Sequence, residues 1–537
     1  MNFTDLQIPF DEAENYFKPN NKEKLNRLFY KDRNYNKLLN DTTYFLIGEK
    51  GSGKTTYCAY FCNNNVNNTR SRRYPISVDD YNKIIQMKKD GKLNYTHYVT
   101  LWKAILLIKL LSTIEEDEVS FRGVSAMRSI KKTLDAFNFT KITMDTFSPV
   151  SFMDNIKFSM QGGFEASDNN AKFNSGTNAT SENQTSMQKH VYEDNWQKFI
   201  NIIASELERL RLKKNHYLFV DGIDTRPTDI SYAEYTECIY PLVRAVYDLN
   251  NDILSHVKDR AKGRLQIVLL TRLDIFLNAG LSNAGSKISD NSAFLNWSMT
   301  NEKQYSSTDL YKLVQKMLSA PDSKESPWKQ YFNFTIDRGS KSLDSFAYFL
   351  RLSTSKPRDF VKILKITKEQ CEAHGIQNPT AKIIESDLFQ RAYSTYFVDT
   401  LRTALSFYYD ENEIKLFFDF IRSFNSCFFN YARYQGIWQE FASKEQLHKT
   451  FGEPFELLEL MFDFNLIAVV EEESYYRWKY RECTIANYDY GIEKNAVKPE
   501  TNFMFHWAAE KEFGLCVKLV DCLEKCLIYG HIRRFAN

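Results

Sequence analysis

Three glycines, two lysines and two threonines stand close together in the segment GEKGSGKTT, residues 48–56. The segment matches the pattern G-x-x-x-x-G-K-[ST], in which glycines let backbone N–H groups turn onto phosphate oxygens at the start of a helix. Lys54 would reach the β- and γ-phosphates of a nucleotide, and the Thr55 hydroxyl would coordinate Mg²⁺. The residues predicted to bind the nucleotide are Gly48, Gly51, Ser52, Gly53, Lys54, Thr55 and Thr56.

A phosphate loop needs an acidic partner at the end of a neighbouring strand, and YLFVDGID (217–224) supplies two aspartates after an apolar run. Asp221 is predicted to bind the Mg²⁺ together with Thr55, and Asp224 to polarise the attacking water. The residues of DGID are also typical of a turn, so a purely structural role for Asp224 stays open.

Two arginines are candidate catalytic residues. Arg272 follows the apolar run VLLT, at the edge of the sheet where ligands of open α/β sheets bind. It would read the γ-phosphate in its own subunit or in a neighbouring one, or else pair with Asp274. Arg358, in SKPRDF, would reach the nucleotide from a lid or remain a solvated charge at a helix start.

The apolar runs that carry these residues indicate how they are positioned. DTTYFLIG, HYLFVDGID and RLQIVLLTRLDIF predict strands buried on both faces and separated by helices, which is the pattern of a parallel α/β sheet. Residues 70–130 and 300–400 are predicted to be mostly helical. Between these ranges, a hairpin is predicted with its turn at Gly162 and Gly163. Late in the chain, NLIAVVEEESYYRWKYRE predicts two strands around an acidic turn, a wing on a small helical domain.

Composition narrows the class of protein. The chain of 537 residues has 43% hydrophobic and 26% charged residues, which is typical of a soluble globular protein, and a net charge of +2 provides no overall basic field for nucleic acid. We expect no membrane association, because residues 98–112 are too short and contain two lysines. The start shows no signal peptide, and nine scattered cysteines suit a reducing, cytoplasmic location. Cys516, Cys522 and Cys526 are predicted to be buried free thiols.

The motifs GEKGSGKT, LFVDGID, VLLTR and SKPRD follow the order found in AAA+ and STAND-like P-loop ATPases, which the chain resembles. VDGID looks like the D-G-x-D/E box of NACHT-type proteins, and SKPRD resembles the second sensor of origin-recognition-type ATPases. Over nearly its full length the chain is similar to bacterial P-loop ATPases of mobile elements and anti-phage loci. That wider similarity is carried by YFKPNNKEKLNRLFYKD, DNSAFLNW and FMFHWAAEKEFG.

The resemblance implies the fold, the cofactors and the domains. The fold class is α/β: a P-loop NTPase parallel-sheet core, a helical lid and a winged-helix-like α+β domain. ATP and Mg²⁺ would be the cofactors, and Asp224 would replace the usual catalytic glutamate, so that hydrolysis is slow. The predicted segments are a helical 1–40, a core 41–300 with a polar insertion near 150–190, a lid 301–400 and a C-terminal domain 401–537.

The leading hypothesis is a regulatory ATPase that controls self-assembly as a homo-oligomer, or a partner effector, in defence against phage. The alternative is a nucleic-acid-acting ATPase, and a small-molecule kinase is a weaker third. Acidic residues dominate the helix EPFELLELMFDFNL (453–466), which disfavours DNA. The wing strand offers a basic-aromatic mix that could contact a nucleic-acid backbone or base: Arg477, Lys479 and Arg481 among Tyr475, Tyr476 and Trp478. An exposed strand face with alternating charge is the preferred interpretation, so we expect protein contacts here rather than DNA.

Overall fold

The computed structural model describes residues 2–89, 95–136, 196–257, 259–260, 262–298, 302–318, 326–338, 341–472, 475–482 and 497–515. The hairpin predicted at Gly162 and Gly163, the polar insertion near 150–190 and the thiols of Cys516, Cys522 and Cys526 lie outside the described residues. Within those ranges, no helix has both the length and the apolar character needed to cross a bilayer.

The chain divides into two compact units. The sheet unit comprises Arg33–Gly48 and Lys54–Phe294, and the C-terminal unit comprises Met1–Asp32, Glu49–Gly53 and Leu295–Asn537. The GEKGSGKT motif contributes to both, because the chain leaves the sheet unit after Gly48 and re-enters it at Lys54. The boundaries proposed at residues 40, 300 and 400 stay predictions.

A parallel sheet of five strands forms the centre of the sheet unit, in the order β2-β3-β4-β1-β5. The strands are β1 (Phe45–Gly48), β2 (Thr69–Pro75), β3 (Asn215–Asp221), β4 (Leu265–Thr271) and β5 (Ser292–Leu295). Every residue of β1 and β4 is buried, as the uninterrupted apolar runs predict for strands covered on both faces. The prediction of an α/β fold with a parallel sheet is confirmed.

Strand β2 was not predicted, because residues 70–130 were expected to be mostly helical, as the rest of that range is. Its sequence, TRSRRYP, has no apolar run, but Thr69, Ser71 and Tyr74 are buried between more accessible residues. Within the described sheet β2 is an edge strand that pairs with β3 alone. An edge strand tolerates charged side chains that a central strand would not, so a polar segment forms a strand here.

The remaining chain of the sheet unit is mainly helical. The prediction of a buried helix at residues 98–112 is confirmed, because Leu101, Trp102 and Ile105 are fully buried and the Trp102 Nε1 donates a hydrogen bond to the carbonyl of Cys238 at 2.9 Å. The helices are Arg33–Lys37, Lys54–Asn63, Val78–Lys89, Tyr95–Leu111, Val124–Ala136, 196–207, Tyr232–Asp248, Leu273–Asn278 and Ala284–Asn291.

The strand order places a switch point beside β1. The chain leaves β1 toward β2 on one side, and it leaves β4 to pass β1 and form β5 on the other side. In open parallel sheets ligands bind at the carboxyl ends of the strands where the connections diverge in this way. The order also corrects the prediction that Asp221 ends a strand next to β1. Asp221 ends β3, and β4 lies between β3 and β1.

The C-terminal unit consists of helices around an aromatic core. Trp328 stacks on Phe332 with ring centroids 4.2 Å apart, and Phe3 packs edge-on against Phe332 at 5.3 Å. A hairpin of β6 (Thr335–Arg338) and β7 (Lys341–Asp344) interrupts the region 300–400 that was predicted to be helical. The helices are Lys22–Leu28, Asp309–Leu318, Pro327–Tyr331, Ser345–Leu352, Pro357–Ala373, Ala381–Glu385, Asp387–Leu405, Glu411–Arg422, Tyr431–Glu440, Lys444–Phe451, Pro454–Asp463, Lys479–Glu482 and Glu510–Phe513.

Four antiparallel strands form a second sheet, in the order β10-β9-β11-β8. They are β8 (Phe428–Asn430), β9 (Ile467–Glu472), β10 (Tyr475–Arg477) and β11 (Asn502–Phe505). The predicted pair of strands around an acidic turn is confirmed as β9 and β10. Lys479 and Arg481 lie in the short helix Lys479–Glu482, so their assignment to the wing strand is wrong.

Candidate functional site

Backbone conformation at two glycines shapes the loop between β1 and the helix Lys54–Asn63. Gly51 has φ +87° and Gly53 has φ +101°, values that L side chains rarely adopt. Within the C-terminal unit, a Cβ added at Gly51 would lie 3.2 Å from the Cβ of Arg358. The loop therefore requires glycine at these positions for conformation and, at Gly51, also for close approach.

The ammonium group of Lys54 is held inside the sheet unit by two oxygen atoms. The residue is buried, and its Nζ donates to the carbonyl of Gly48 at 2.7 Å. Oδ2 of Asp224 lies 2.6 Å from the same Nζ. The cation that the motif assigns to phosphate is thus already paired with a carboxylate.

Thr55 and Asp221 meet at the carboxyl end of the sheet. The Thr55 hydroxyl donates to Oδ2 of Asp221 at 3.1 Å. Because the proton points at Asp221, the lone pairs of the hydroxyl oxygen are directed elsewhere and can bind a cation. Burial raises the pKa of Asp221 above its ordinary value, while the Arg73 guanidinium opposes this shift and favours the carboxylate.

This donor set suits Mg²⁺ better than a metal held by protein alone. Mg²⁺ is usually bound through one or two carboxylates plus substrate phosphates and water. In the described part of the chain, no group of three or more His, Cys, Asp or Glu side chains could hold a metal ion. One hydroxyl and one carboxylate, at Thr55 and Asp221, therefore match a cation that arrives with a phosphate.

Arg73 is a site residue that the sequence analysis missed. It lies on β2, and its Nε and Nη2 contact Oδ2 of Asp221 at 3.0 and 2.8 Å. The two residues are 148 positions apart in the chain. The only signal was the basic segment TRSRRYP, and no spacing rule connects such a segment to a distant aspartate.

The turn after β3 directs Asp224 to Lys54. The N–H of Gly222 donates to Oδ1 of Asp221 at 2.9 Å, and the hydroxyl of Tyr235 donates to the carbonyl of Ile223 at 3.1 Å. DGID therefore forms a turn, and the same turn brings Asp224 into the site. Oδ1 of Asp224 is buried without a hydrogen-bond partner among the described residues, so it can accept a proton from a bound water.

Within the C-terminal unit, two carbonyl groups of the loop are held from outside. The N–H of Arg358 donates to the carbonyl of Gly51 at 3.3 Å, and the Trp297 Nε1 donates to the carbonyl of Ser52 at 2.9 Å. In a planar trans peptide the N–H points away from the C=O, so the bond to Ser52 turns the N–H of Gly53 to the opposite side. The hydroxyl of Ser52 is buried and has no hydrogen-bond partner among the described residues.

The two candidate arginines have carboxylate partners. Arg272 immediately precedes the helix Leu273–Asn278, and its Nε donates to Oδ1 of Asp274 at 2.9 Å. The predicted alternative of a pair with Asp274 is thus observed, and Arg272 itself is largely buried. Arg358 is the second residue of the helix Pro357–Ala373, and its Nη2 lies 3.9 Å from Oε2 of Glu12. Thr56 lies in the first turn of the helix after the loop and is half-buried.

The basic residues after β9 also have acidic partners. Arg477 Nη1 lies 3.5 Å from Oε1 of Glu471, and Lys479 Nζ lies 3.1 Å from Oδ1 of Asp463. The helix Pro454–Asp463 that supplies Asp463 is the acidic one noted in the sequence. These positive charges are therefore partly neutralised within the domain.

Comparison of the chain with protein-family models, with curated proteins and with solved structures finds no match.

Proposed function

We propose that this protein is an ATP- and Mg²⁺-binding regulatory ATPase with a P-loop NTPase core. The proposal rests on two contacts, in which an aspartate lies beside Lys54 and another beside Thr55 of the motif. Asp224 lies 2.6 Å from the Nζ of Lys54, and Asp221 accepts the hydroxyl of Thr55 at 3.1 Å, although 166 residues separate Thr55 from Asp221. The motif assigns Lys54 to phosphate and Thr55 to metal. Asp221 lies beside the hydroxyl that would bind the metal, and Asp224 lies beside the lysine that would bind the phosphate.

The residues fit the proposed ligands. Lys54 would bind the β- and γ-phosphates, Thr55 would hold the cation directly, and Asp221 would hold it through its hydration shell. Bound Mg²⁺ would neutralise phosphate charge and orient the phosphate chain. Two buried polar atoms without described partners, Oγ of Ser52 and Oδ1 of Asp224, would gain partners from a phosphate oxygen and a water, respectively.

The contacts of the loop suggest how the state of the nucleotide reaches the rest of the C-terminal unit. The helix Pro357–Ala373 begins one residue before Arg358, whose N–H is bonded to the carbonyl of Gly51. A loop that tightens around phosphates would shift this bond and so move the start of the helix. Such a switch works only if ATP binds the moved arrangement more tightly than the other one. We assign the helices of residues 301–400 the role of a lid on this basis.

Partner contacts are proposed for the C-terminal region of helices and the sheet β10-β9-β11-β8. Its sheet includes the predicted wing strands β9 and β10, but Arg477 and Lys479 are paired with Glu471 and Asp463. A phosphate backbone would have to compete with these carboxylates. A protein partner therefore suits this surface better than DNA does, and the nucleic-acid-acting ATPase remains the second candidate.

Self-assembly, an effector partner, slow hydrolysis and a role in anti-phage defence rest on the resemblance of the motifs alone. A resemblance of this kind indicates a biological role but does not establish a chemical activity. ATP is proposed as the nucleotide because of the same resemblance. The sequence has no N-K-x-D motif, which would recognise guanine. A cytoplasmic location is proposed from the nine scattered cysteines.

The test is the mass of the particle in solution, without nucleotide and with a slowly hydrolysed ATP analogue plus Mg²⁺. We expect the mass to rise to a discrete multiple with the analogue. Lys54→Ala should stay small, whereas Lys50→Ala, a lysine of the same loop to which the motif gives no role, should assemble like the wild type. An unchanged mass despite measured nucleotide binding would exclude self-assembly and leave control of a partner. Absence of nucleotide binding in the wild type would overturn the proposal itself.

A further inference from the structure

Three hydrogen-bond donors converge on a single oxygen atom at the end of β3. Oδ2 of Asp221 accepts from the Nε of Arg73 at 3.0 Å and from the Thr55 hydroxyl at 3.1 Å, and the Nη2 of Arg73 lies 2.8 Å from it. Oδ1 accepts the N–H of Gly222 at 2.9 Å. Both oxygens of the carboxylate are therefore engaged, and its plane is fixed from two sides.

The crowding at Oδ2 determines what Asp221 can do. A carboxylate offers about four lone-pair sites over its two oxygens. With three donors on Oδ2, a cation cannot coordinate that atom directly unless one donor leaves. The arrangement instead suits an indirect role, in which Asp221 holds the proton of Thr55 and a water of the metal.

We propose that Arg73 is a positioning residue of the nucleotide site, which fixes Asp221 so that the lone pairs of Thr55 are directed at Mg²⁺. The inference rests on the proposed function, because it concerns the same metal. Groups that orient a metal ligand through a hydrogen bond commonly change metal affinity by about tenfold to a hundredfold when removed. Arg73 would be such a group, although it touches neither nucleotide nor metal.

The geometry of the contact distinguishes Arg73 from a simple counter-charge. Its guanidinium presents two N–H groups to one oxygen, which fixes direction as well as charge, whereas a lysine ammonium is a point charge on a flexible chain. The neighbouring Arg72 is exposed on the same strand. The strand thus provides its own control, an arginine one position away.

The experiment compares the affinity for ATP in excess Mg²⁺ with the affinity in EDTA, by titration of a fluorescent ATP analogue. We expect Arg73→Ala to reduce the ratio of the two affinities by about tenfold or more, with the EDTA value nearly unchanged. Arg73→Lys should recover only part of the ratio, because it restores charge without the forked contact. Arg72→Ala should keep the wild-type ratio.

The outcomes separate the inference from the proposed function. Equal loss of affinity with and without Mg²⁺ in folded Arg73→Ala would mean that Arg73 only supports the structure, and an unchanged ratio would also overturn its positioning role. If Arg73→Ala does not fold, Arg73→Lys decides alone: a wild-type ratio overturns the inference and a reduced ratio supports it. A wild type that binds no nucleotide, or binds it without regard to Mg²⁺, would refute the proposed site before Arg73 is considered.

Discussion

The Nζ of Lys54 lies 2.6 Å from Oδ2 of Asp224, closer than its 2.7 Å hydrogen bond to the carbonyl of Gly48. The side chain that the motif assigns to phosphate is therefore neutralised by a carboxylate of the chain itself. A γ-phosphate must share or displace that carboxylate to reach Lys54. Asp224 thus opposes binding while its second oxygen, Oδ1, is in a position to accept a proton from water.

Replacing Asp224 by asparagine should separate these two effects. Asp224→Asn removes the charge that competes for Lys54. Because a charge-assisted contact contributes about 1.5–3 kcal/mol, the affinity for ATP should rise by roughly tenfold to a hundredfold. Turnover should fall by roughly a hundredfold or more, because an amide is a poor acceptor for a water proton. Nucleotide titration and phosphate release measure the two quantities on the same preparation.

Asp229→Asn is the matched control, since Asp229 is exposed in the same segment. It should leave both quantities unchanged. If Asp224→Asn weakens binding, then Asp224 does not compete with the phosphate. If turnover persists in that variant, some other group accepts the proton.

The turn that places Asp224 depends on Gly222. Gly222 has φ +102°, and a Cβ at this position would lie 2.8 Å from the carbonyl oxygen of Ile76. Gly222→Ala should therefore lower the free energy of unfolding by about 2–4 kcal/mol, from backbone strain and steric overlap together. Gly375→Ala is the control, because Gly375 has φ +66° with nothing within 4 Å of the added carbon, and should cost about 1–2 kcal/mol. Urea unfolding measures both, and equal losses would show that the contact with Ile76 relaxes freely.

The sequence allowed prediction of the elements whose signal is local. Strands β1, β3 and β4 were identified because each is an uninterrupted apolar run, and the loop after β1 because its spacing is fixed by the chemistry of phosphate. Strand β2 was missed because TRSRRYP is stabilised as a strand by pairing with β3, which lies far along the chain. Strands β8 and β11, which complete the second sheet, have only three and four residues, too short for a periodic pattern.

The same distinction applies to the site. Lys54, Thr55 and Asp221 could be predicted, since each belongs to a short segment with its own chemical logic. The contact of Arg73 with Asp221 and the contact of Arg358 with Gly51 could not, because each joins residues far apart in the chain. Contacts of this kind depend on how whole helices and strands pack together, and the spacing of residues in the sequence does not predict that packing.

The acidic partners of Arg477 and Lys479 lead to a prediction about nucleic acid. Because Glu471 and Asp463 lie 3.5 and 3.1 Å from them, we expect duplex DNA to leave ATP turnover within about twofold of its basal rate. The double variant Arg477→Ala, Lys479→Ala should behave like the wild type in this assay. Strong stimulation by DNA that the double variant loses would favour the nucleic-acid-acting ATPase instead.

A buried histidine gives the sheet unit a predictable sensitivity to acid. His216, at the amino end of β3, is fully buried, and neither ring nitrogen has a hydrogen-bond partner among the described residues. The charged groups facing it are Glu118, with Oε2 at 3.7 Å, together with Arg70, Lys214 and Glu115. Burial lowers the pKa of His216 from 6.5 to about 4, although the Glu118 carboxylate opposes this shift.

The unfolded chain therefore takes up a proton at His216 below pH 6.5 that the folded chain resists until about pH 4. The contribution of this residue to stability is complete above pH 6.5 and is lost as the pH falls through that window, by about 3 kcal/mol in total. Urea unfolding at pH 7.5 and pH 4.5 should show this loss in the wild type and in His374→Gln, an exposed histidine that serves as the control. His216→Gln should show a smaller difference between the two pH values, because glutamine binds no proton. If His216→Gln has the pH dependence of the wild type, the acid sensitivity comes from other groups and the buried histidine does not set it.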